Sequence, residues 1–352
     1  MTQRRVVLRD VAEKAGVHLT TAARAMKNDP RVRPETQELV RRVAKELGYA
    51  PDPMLSALST YRTAIRPAPY HGTVMWLTNF ETRDGWRCES FDDYREGARE
   101  ALARHGYQLE DFWLQEPGMS LRRAAQILES RGVRGLLVCP SPAPEFTLEF
   151  PFDRFAAVAF GHTLVNPALH LVTTSHYQNM QICLRELHRR GYRRPGFVTW
   201  DISRRVAEQW TASYRTPPFE GEWEALAPML KLEPRPTMFS DANREVFFGW
   251  MKEHRPDAVL VVDRHILGWL REAGYGVPED VAYVSPSLQK SNTDHAGVLE
   301  PSFEIGATAG EFLVGMLNRG EYGVPRIPRR IFLDGAWQQG ATARAAVPAP
   351  GA

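Results

Sequence analysis

The chain has 352 residues, 43% hydrophobic and 24% charged, which is ordinary globular composition with length for two or three domains. No apolar run of about 18 residues interrupts it, which excludes a helical membrane span. The start, Met1-Thr2-Gln3-Arg4-Arg5, leads into a charged amphipathic stretch and not into an apolar signal core, so a cytoplasmic location is expected. Cys88, Cys139 and Cys183 stand too far apart to suggest a disulfide framework or a metal cluster, and all three are expected to be buried. The net charge of +2 hides an asymmetry: residues 1–66 carry thirteen basic and seven acidic side chains, and the remainder is net negative. A basic head on a slightly acidic body suits a reader of nucleic acid, although short basic segments are also common as solvated faces.

The head reads as three short helices. Leu8, Val11, Ala12 and Ala15 fall on one helical face, and Gly16 supplies a sharp turn. Ala22, Ala23 and Met26 give the next helix a narrow apolar face. Pro34 and Glu35 open a third helix whose stripe is Leu39, Val40, Val43, Ala44 and Leu47, with Gly48 as its stop. Three helices with a tight turn between the first two form a helix-turn-helix, whose second helix enters the major groove. Residues 51–70 read as a proline-bracketed connector around a short helix at residues 54–59.

From His71 onward, apolar strand candidates alternate with helical stretches. In order they are Val74–Leu77, Asp92–Arg104, Gln108–Leu114, Leu121–Arg131, Gly135–Cys139 and Ala156–Phe160. The pattern resumes at Tyr177–Arg190, Gly196–Trp200, Asn243–His254, Ala258–Val262, His265–Ala273 and Val281–Ser285. The alternation predicts an α/β body of two lobes, each a parallel sheet wound with helices. Gly-Tyr recurs at 48–49, 106–107, 191–192 and 274–275, each time as a helix stop. The boundaries expected are a head at 1–50, a connector at 51–70, a body at 71–340 and a disordered Ala/Pro-rich tail at 341–352.

The run Leu8-Arg9-Asp10-Val11-Ala12-Glu13-Lys14-Ala15-Gly16-Val17, then Thr21, Arg24-Ala25-Met26, Val32-Arg33-Pro34-Glu35-Thr36 and Glu46-Leu47-Gly48-Tyr49-Ala50-Pro51, resembles the lactose-repressor (LacI/GalR) family of bacterial transcription regulators. The body resembles that family's effector domain in strand–helix order, in Pro256-Asp257-Ala258 through Asp263, and in Val277-Pro278-Glu279-Asp280-Val281-Ala282. The resemblance implies a repressor that binds a palindromic DNA operator as a homodimer. It also implies a periplasmic-binding-protein-like body with a small-molecule effector between its lobes. No cofactor and no membrane are implied.

On the recognition helix, Leu19, Thr20 and Arg24 face away from Ala22 and Met26. Leu19 suits a thymine methyl, Thr20 either donor or acceptor edges, and Arg24 the O6/N7 pair of guanine. Partial burial of Leu19 and a surface ion pair for Arg24 are the plain alternatives. By resemblance, His18, Thr21, Asn28 and Thr36 position phosphates. Leu58, with Leu55 beside it, takes the place of the hinge leucine that wedges into the minor groove; packing of both against the body is the alternative. Val7, His18 and Arg33 stand where the family has Thr or Ser caps, which predicts a head weakened by about 1 kcal/mol per cap.

The effector contacts expected are Asn79, Phe91, Trp200, Asp201, Arg205, Trp210, Asp263 and Ser287. Gly161, Val262 and Ser287 stand where sugar-binding members carry polar anchors, leaving Asp263 alone, so a conventional sugar is not expected. There is no GxxxxGK[ST], GxSxG, HExxH or CxxC pattern, and no enzyme is expected. The alternatives are a regulator whose body only dimerises and a helix-turn-helix head fused to an α/β enzyme.

Overall fold

A computed structural model describes residues 6–26, 29, 31–49, 70–141, 143–200, 204–219, 221–233 and 240–346. The connector helix expected at residues 54–59, with Leu55 and Leu58, lies outside them. The head is built from α1 (Leu8–Lys14), α2 (Leu19–Met26) and α3 (Pro34–Leu47). Its buried side chains are Val11, Ala12, Ala22, Ala25, Val32, Val40, Val43 and Ala44. On α2 the buried pair is Ala22 and Ala25, so the face lies one step from the Ala22/Ala23 stripe expected; the i, i+3 spacing is what turns toward α1 and α3.

At two of the three helix starts a side chain holds the first turn, and at α2 it takes the place of the missing cap. The Asp10 carboxylate accepts the Val7 backbone N–H at 2.8 Å, and His18 Nδ1 accepts the Thr20 backbone N–H at 3.4 Å. Arg33 makes no side-chain cap bond, but Pro34 follows it at the first helical position, where it has no N–H to satisfy.

Lobe 1 contains β1 (Gly72–Thr78), α4 (Glu89–Arg104), β2 (Tyr107–Trp113), α5 (Leu121–Ser130) and β3 (Gly135–Val138). A short pair, β4 (Phe146–Thr147) with β6 (Leu164–Asn166), flanks β5 (Ala156–Phe160), and β7 (His170–Thr174) follows. The chain then enters lobe 2 with α6 (His176–Arg189), β8 (Pro195–Thr199), α7 (Arg204–Arg215), β9 (Leu230–Lys231) and α8 (Asp241–His254). After these come β10 (Ala258–Leu260), α9 (His265–Glu272), β11 (Ala282–Leu288) and β12 (Ala296–Leu299). It returns to lobe 1 for α10 (Ser302–Arg319) and β13 (Arg330–Leu333), and crosses back for β14 (Ala336–Gln338).

The sheet orders are β13-β7-β5-β3-β1-β2 and β14-β12-β11-β10-β8-β9. Every pairing within them is parallel except β12 with β14. This is the expected α/β phasing. Among the described residues no helix is long and apolar enough to cross a membrane.

All four Gly-Tyr stops have a left-handed glycine: φ is +66° at Gly48, +77° at Gly106, +83° at Gly191 and +84° at Gly274. At three of them the tyrosine N–H closes the helix on a carbonyl five residues back, as in Tyr49 to Ala44 O at 2.9 Å and Tyr275 to Leu270 O at 3.0 Å.

Two expectations are corrected. Cys88 is exposed, because it sits just before α4 as its N-cap, whereas Cys139 and Cys183 are buried. Residues 341–344 of the expected tail are docked: Thr342 Oγ1 accepts the Ala296 N–H at 2.8 Å, and Thr342 O accepts the Tyr283 N–H at 3.0 Å. Arg344 N–H donates to the Tyr192 hydroxyl at 3.0 Å. The segment extends lobe 2's backbone pairing, and its alanines carry too little hydrophobic signal to show this.

Helix α10 packs on α4 so closely that a Cβ at Gly97 would lie 1.9 Å from Phe303 O, and one at Gly306 would lie 2.0 Å from Tyr94 O. Backbone cannot yield there as a flexible side chain could. Gly306→Ala is therefore expected to destabilise lobe 1 by at least about 1–3 kcal/mol. Gly249→Ala on α8, with open space around it, should be neutral or stabilising by up to about 1 kcal/mol. Denaturant unfolding of both variants checks this, and equal midpoints would remove the close contact as a determinant.

Candidate nucleic-acid interface and interlobe cleft

Burial of Ala22 and Ala25 turns His18, Leu19, Thr20 and Arg24 outward, with Leu19 44% exposed. Thr21 and Thr36 are half-buried beside this face, and Asn28 lies outside the described residues. Arg24 Nε is 4.0 Å from Asp29 Oδ2. That carboxylate is already engaged by Arg31, through Nη2 at 2.7 Å, Nε at 3.0 Å and the backbone N–H at 3.0 Å. Hydrogen bonding from Arg31 holds the Asp29 carboxyl below its usual range. The Arg24 guanidinium thus reaches Asp29 only at the limit of ion-pair distance, and its planar fork stays available to an outside acceptor.

In the body, the two lobes touch on both flanks of the cleft. On one flank Lys290 Nζ meets Asp93 Oδ2 at 2.9 Å and the Ser291 N–H donates to Glu89 Oε1 at 2.7 Å. On the other flank Gln209 Nε2 donates to His162 Nε2 at 3.1 Å, and Arg204 lies 3.5 Å from Glu145. Beside this second flank is an open cavity of about 440 Å³, whose wall includes His162, Tyr177, Arg205, Gln209, Arg330 and Phe332.

His162 packs against His176, with ring centroids 5.6 Å apart, and His176 meets Trp210 edge-on at 5.2 Å. Burial, with Arg330 and Arg205 nearby, pushes the His162 pKa down to about 4. Complete burial pushes that of His176 down to about 3. Among the described residues, His176 Nδ1 and the Trp210 indole N–H have no hydrogen-bond partner.

The head's three helices and the crossed α/β lobes have clear counterparts. Residues 7–52 match the bacterial regulatory proteins of the lacI family, and residues 184–340 match the periplasmic binding protein-like domain. The chain is a lacI-family transcriptional regulator. It is 22% identical over 331 residues to the HTH-type transcriptional repressor PurR of Mannheimia succiniciproducens, covering 88% of this chain and 90% of that protein. Among solved structures it shares its fold with a transcriptional regulator CelR–cellobiose complex, at 20% identity and TM-score 0.55 over 96% of this chain and 100% of that one. It also shares it with the lac repressor dimer bound to operator and the anti-inducer ONPF, at 17% identity and TM-score 0.54 over 97% and 100%. These relatives regulate transcription.

Of the eight effector contacts expected in this lacI-family regulator, Arg205 lines the cavity and Asp201 lies outside the described residues. Asn79 Oδ1 accepts from Gln115 at 2.9 Å, and Phe91 packs against the lobe 1 core. Trp200 and Trp210 are core side chains of lobe 2, 8% and 4% exposed. The Asp263 carboxylate accepts the His265 backbone N–H at 2.9 Å and meets its Nδ1 at 2.6 Å, so it organises the start of α9. Ser287 Oγ donates to Glu300 Oε1 at 2.5 Å, and burial raises the Glu300 pKa.

Sequence reasoning missed His162, Gln209 and Arg330. Arg330 opens a strand that had not been foreseen, and a lone histidine after Gly161 carries no motif.

The buried histidines make stability depend on pH. In the unfolded chain each takes up a proton near pH 6.5, but His162 in the fold does so only near pH 4. Between those values the unfolded state binds more protons, so acid favours unfolding, by about 1.4 kcal/mol per pH unit for one such group. Stability is therefore expected to fall steadily from pH 6.5 to 4, with His162→Gln flattening the slope by about 3 kcal/mol over the window. Unfolding midpoints at stepped pH measure this, and an unchanged slope in the variant would contradict it.

Proposed function

We propose that the protein is a repressor that binds a palindromic operator as a homodimer, with α2 in the major groove, the hinge leucine Leu58 in the minor groove, and a small-molecule effector between the lobes. The observation that carries the reading is the outward face of α2. His18, Leu19, Thr20 and Arg24 project from a basic head, opposite the two alanines that hold the helix to its neighbours. A thymine methyl complements Leu19, and the fork of Arg24 complements guanine O6/N7. Two copies fit a palindrome because two-fold symmetry in a protein dimer is matched by two-fold symmetry in its site. The domain boundaries follow the same reading: residues 1–50 read DNA, 51–70 couple head to body, and 71–340 bind ligand and dimerise.

The effector part draws support from the cavity between the lobes. Asp263, the one sugar anchor that the sequence keeps, is already bonded to His265 within lobe 2.

Selection of bound sequences from random duplex DNA by the full-length protein tests the proposal. A palindrome centred on a deformable pyrimidine–purine step is expected. Arg24→Ala should then lose about 1–3 kcal/mol of discrimination at one position of each half-site. Absence of any enriched sequence, or an unaltered base preference in the variant, would overturn the recognition-helix assignment.

A further inference from the structure

The interlobe cavity joins charges that nothing in the described protein balances. Arg205, in the first turn of α7, reaches it from lobe 2, and Arg330, at the start of β13, reaches it from lobe 1. Among the described residues neither guanidinium has a carboxylate within ion-pair distance. The acid on the wall, Glu208, lies 3.6 Å from Arg204, which also meets Glu145. Burial and the nearness of Arg205 hold the Arg330 guanidinium below its ordinary range. His162, kept neutral beside them, adds no further positive charge. Phe332 stacks on His162 with centroids 6.3 Å apart and remains 47% exposed, giving the cavity an apolar wall next to its cationic one.

We propose that this cavity binds the anionic group, a carboxylate or a phosphate, of a small molecule that bridges Arg205 of one lobe and Arg330 of the other. The proposal rests on the reading of the cleft as a ligand site and narrows its chemistry. Two guanidinium forks offer an anion charge-assisted, bidentate hydrogen bonds. Without the anion they repel one another across the gap; with it they attract a common centre. Binding is therefore coupled to the approach of the lobes, because the anion has more to contact in the closed arrangement than in the open one. A neutral sugar or a cation gains nothing comparable from this wall.

The test follows thermal unfolding of the full-length protein titrated with inorganic phosphate and, separately, citrate, against chloride at matched ionic strength. A saturable rise in melting temperature beyond that in chloride is expected with at least one of the two, and the one that responds assigns the group as phosphate or carboxylate. Arg205→Gln and Arg330→Gln should each weaken the apparent affinity about tenfold or more, while Arg122→Gln on exposed α5 surface keeps the full response. With chloride alone both variants should melt no lower than the unmodified protein, since a like-charge contact has been removed, so a lost response is not a folding defect. A response no greater than chloride's with both anions, or an equal loss in Arg122→Gln, would overturn the site.

Operator affinity measured in the same titrations separates the two readings. Saturable binding that leaves operator affinity unchanged keeps the anion site and removes its regulatory role. A change in operator affinity that persists in both arginine variants removes the site and keeps the effector reading.

Discussion

The backbone contact between α4 and α10 is the constraint on which the body depends. Gly97 and Gly306 let the two helices meet with main chain against side-chain-free main chain. Together they cover one face of the lobe 1 sheet, with Tyr94, Ala98 and Leu102 from one helix and Ile305, Ala309 and Leu313 from the other in a single core. Yet α10 is synthesised only after all but the last strand of lobe 2. Lobe 1 is therefore completed by a segment that has travelled through its neighbour, and neither lobe is a continuous piece of chain. Three crossings between the lobes follow from this, after β7, after β12 and after β13. They fix where the molecule can bend.

Two of those crossings are bonded to each other. Asn179, fully buried on α6, donates to Thr174 Oγ1 at 3.0 Å and accepts the Gly335 N–H at 2.9 Å. Thr174 Oγ1 and the Ser175 N–H both donate to Leu333 O, at 3.2 and 2.8 Å. Every member of this buried network has its partner, which makes the pivot stiff. The contacts that close the cleft are of another kind. Lys290 and Asp93, or Arg204 and Glu145, are solvent-facing pairs worth at most about 1 kcal/mol each. A stiff pivot with weak latches leaves the closure equilibrium to small terms, so a ligand needs only a modest preference for one arrangement to shift it. The arginines on the second flank are positioned to supply such a preference.

How much of this was legible in the sequence can be judged residue by residue. The Gly-Tyr stops were legible because they act locally, through one left-handed glycine and a bond five residues back. The α/β alternation was legible wherever a strand is fully buried, as at Ala156–Phe160. Helix α10 was not, because Gly306, Gly310 and Gly315 weigh against a helix until α4 is placed beside it. The edge strand β13 was hidden by Arg329 and Arg330, whose charges read as loop. With it went Arg330's approach to Arg205, a meeting of residues 125 positions apart that no spacing rule encodes. Asp263 has a local partner that its sequence position did not reveal: the His265 backbone N–H and ring both meet its carboxylate.

The head follows a different logic from the body. Its buried hydrophobic side chains are valines and alanines, with the larger Leu8, Met26, Leu39, Leu47 and Tyr49 only partly covered around them, and small cores confer little stability. His18 caps α2 with a ring nitrogen 3.4 Å from the Thr20 N–H, a weaker substitute for the hydroxyl usual at such a position. Low intrinsic stability is compatible with precise placement. Ala22 and Ala25 bring the α2 backbone close to its neighbours without long side chains that could choose among rotamers, so the helix has one seat. A phosphate beside the helix N-termini would add the negative charge that Arg33 and His18 do not provide. The surface that reads DNA would then be held partly by the DNA itself, and its order would depend on having a partner whose charge the head lacks.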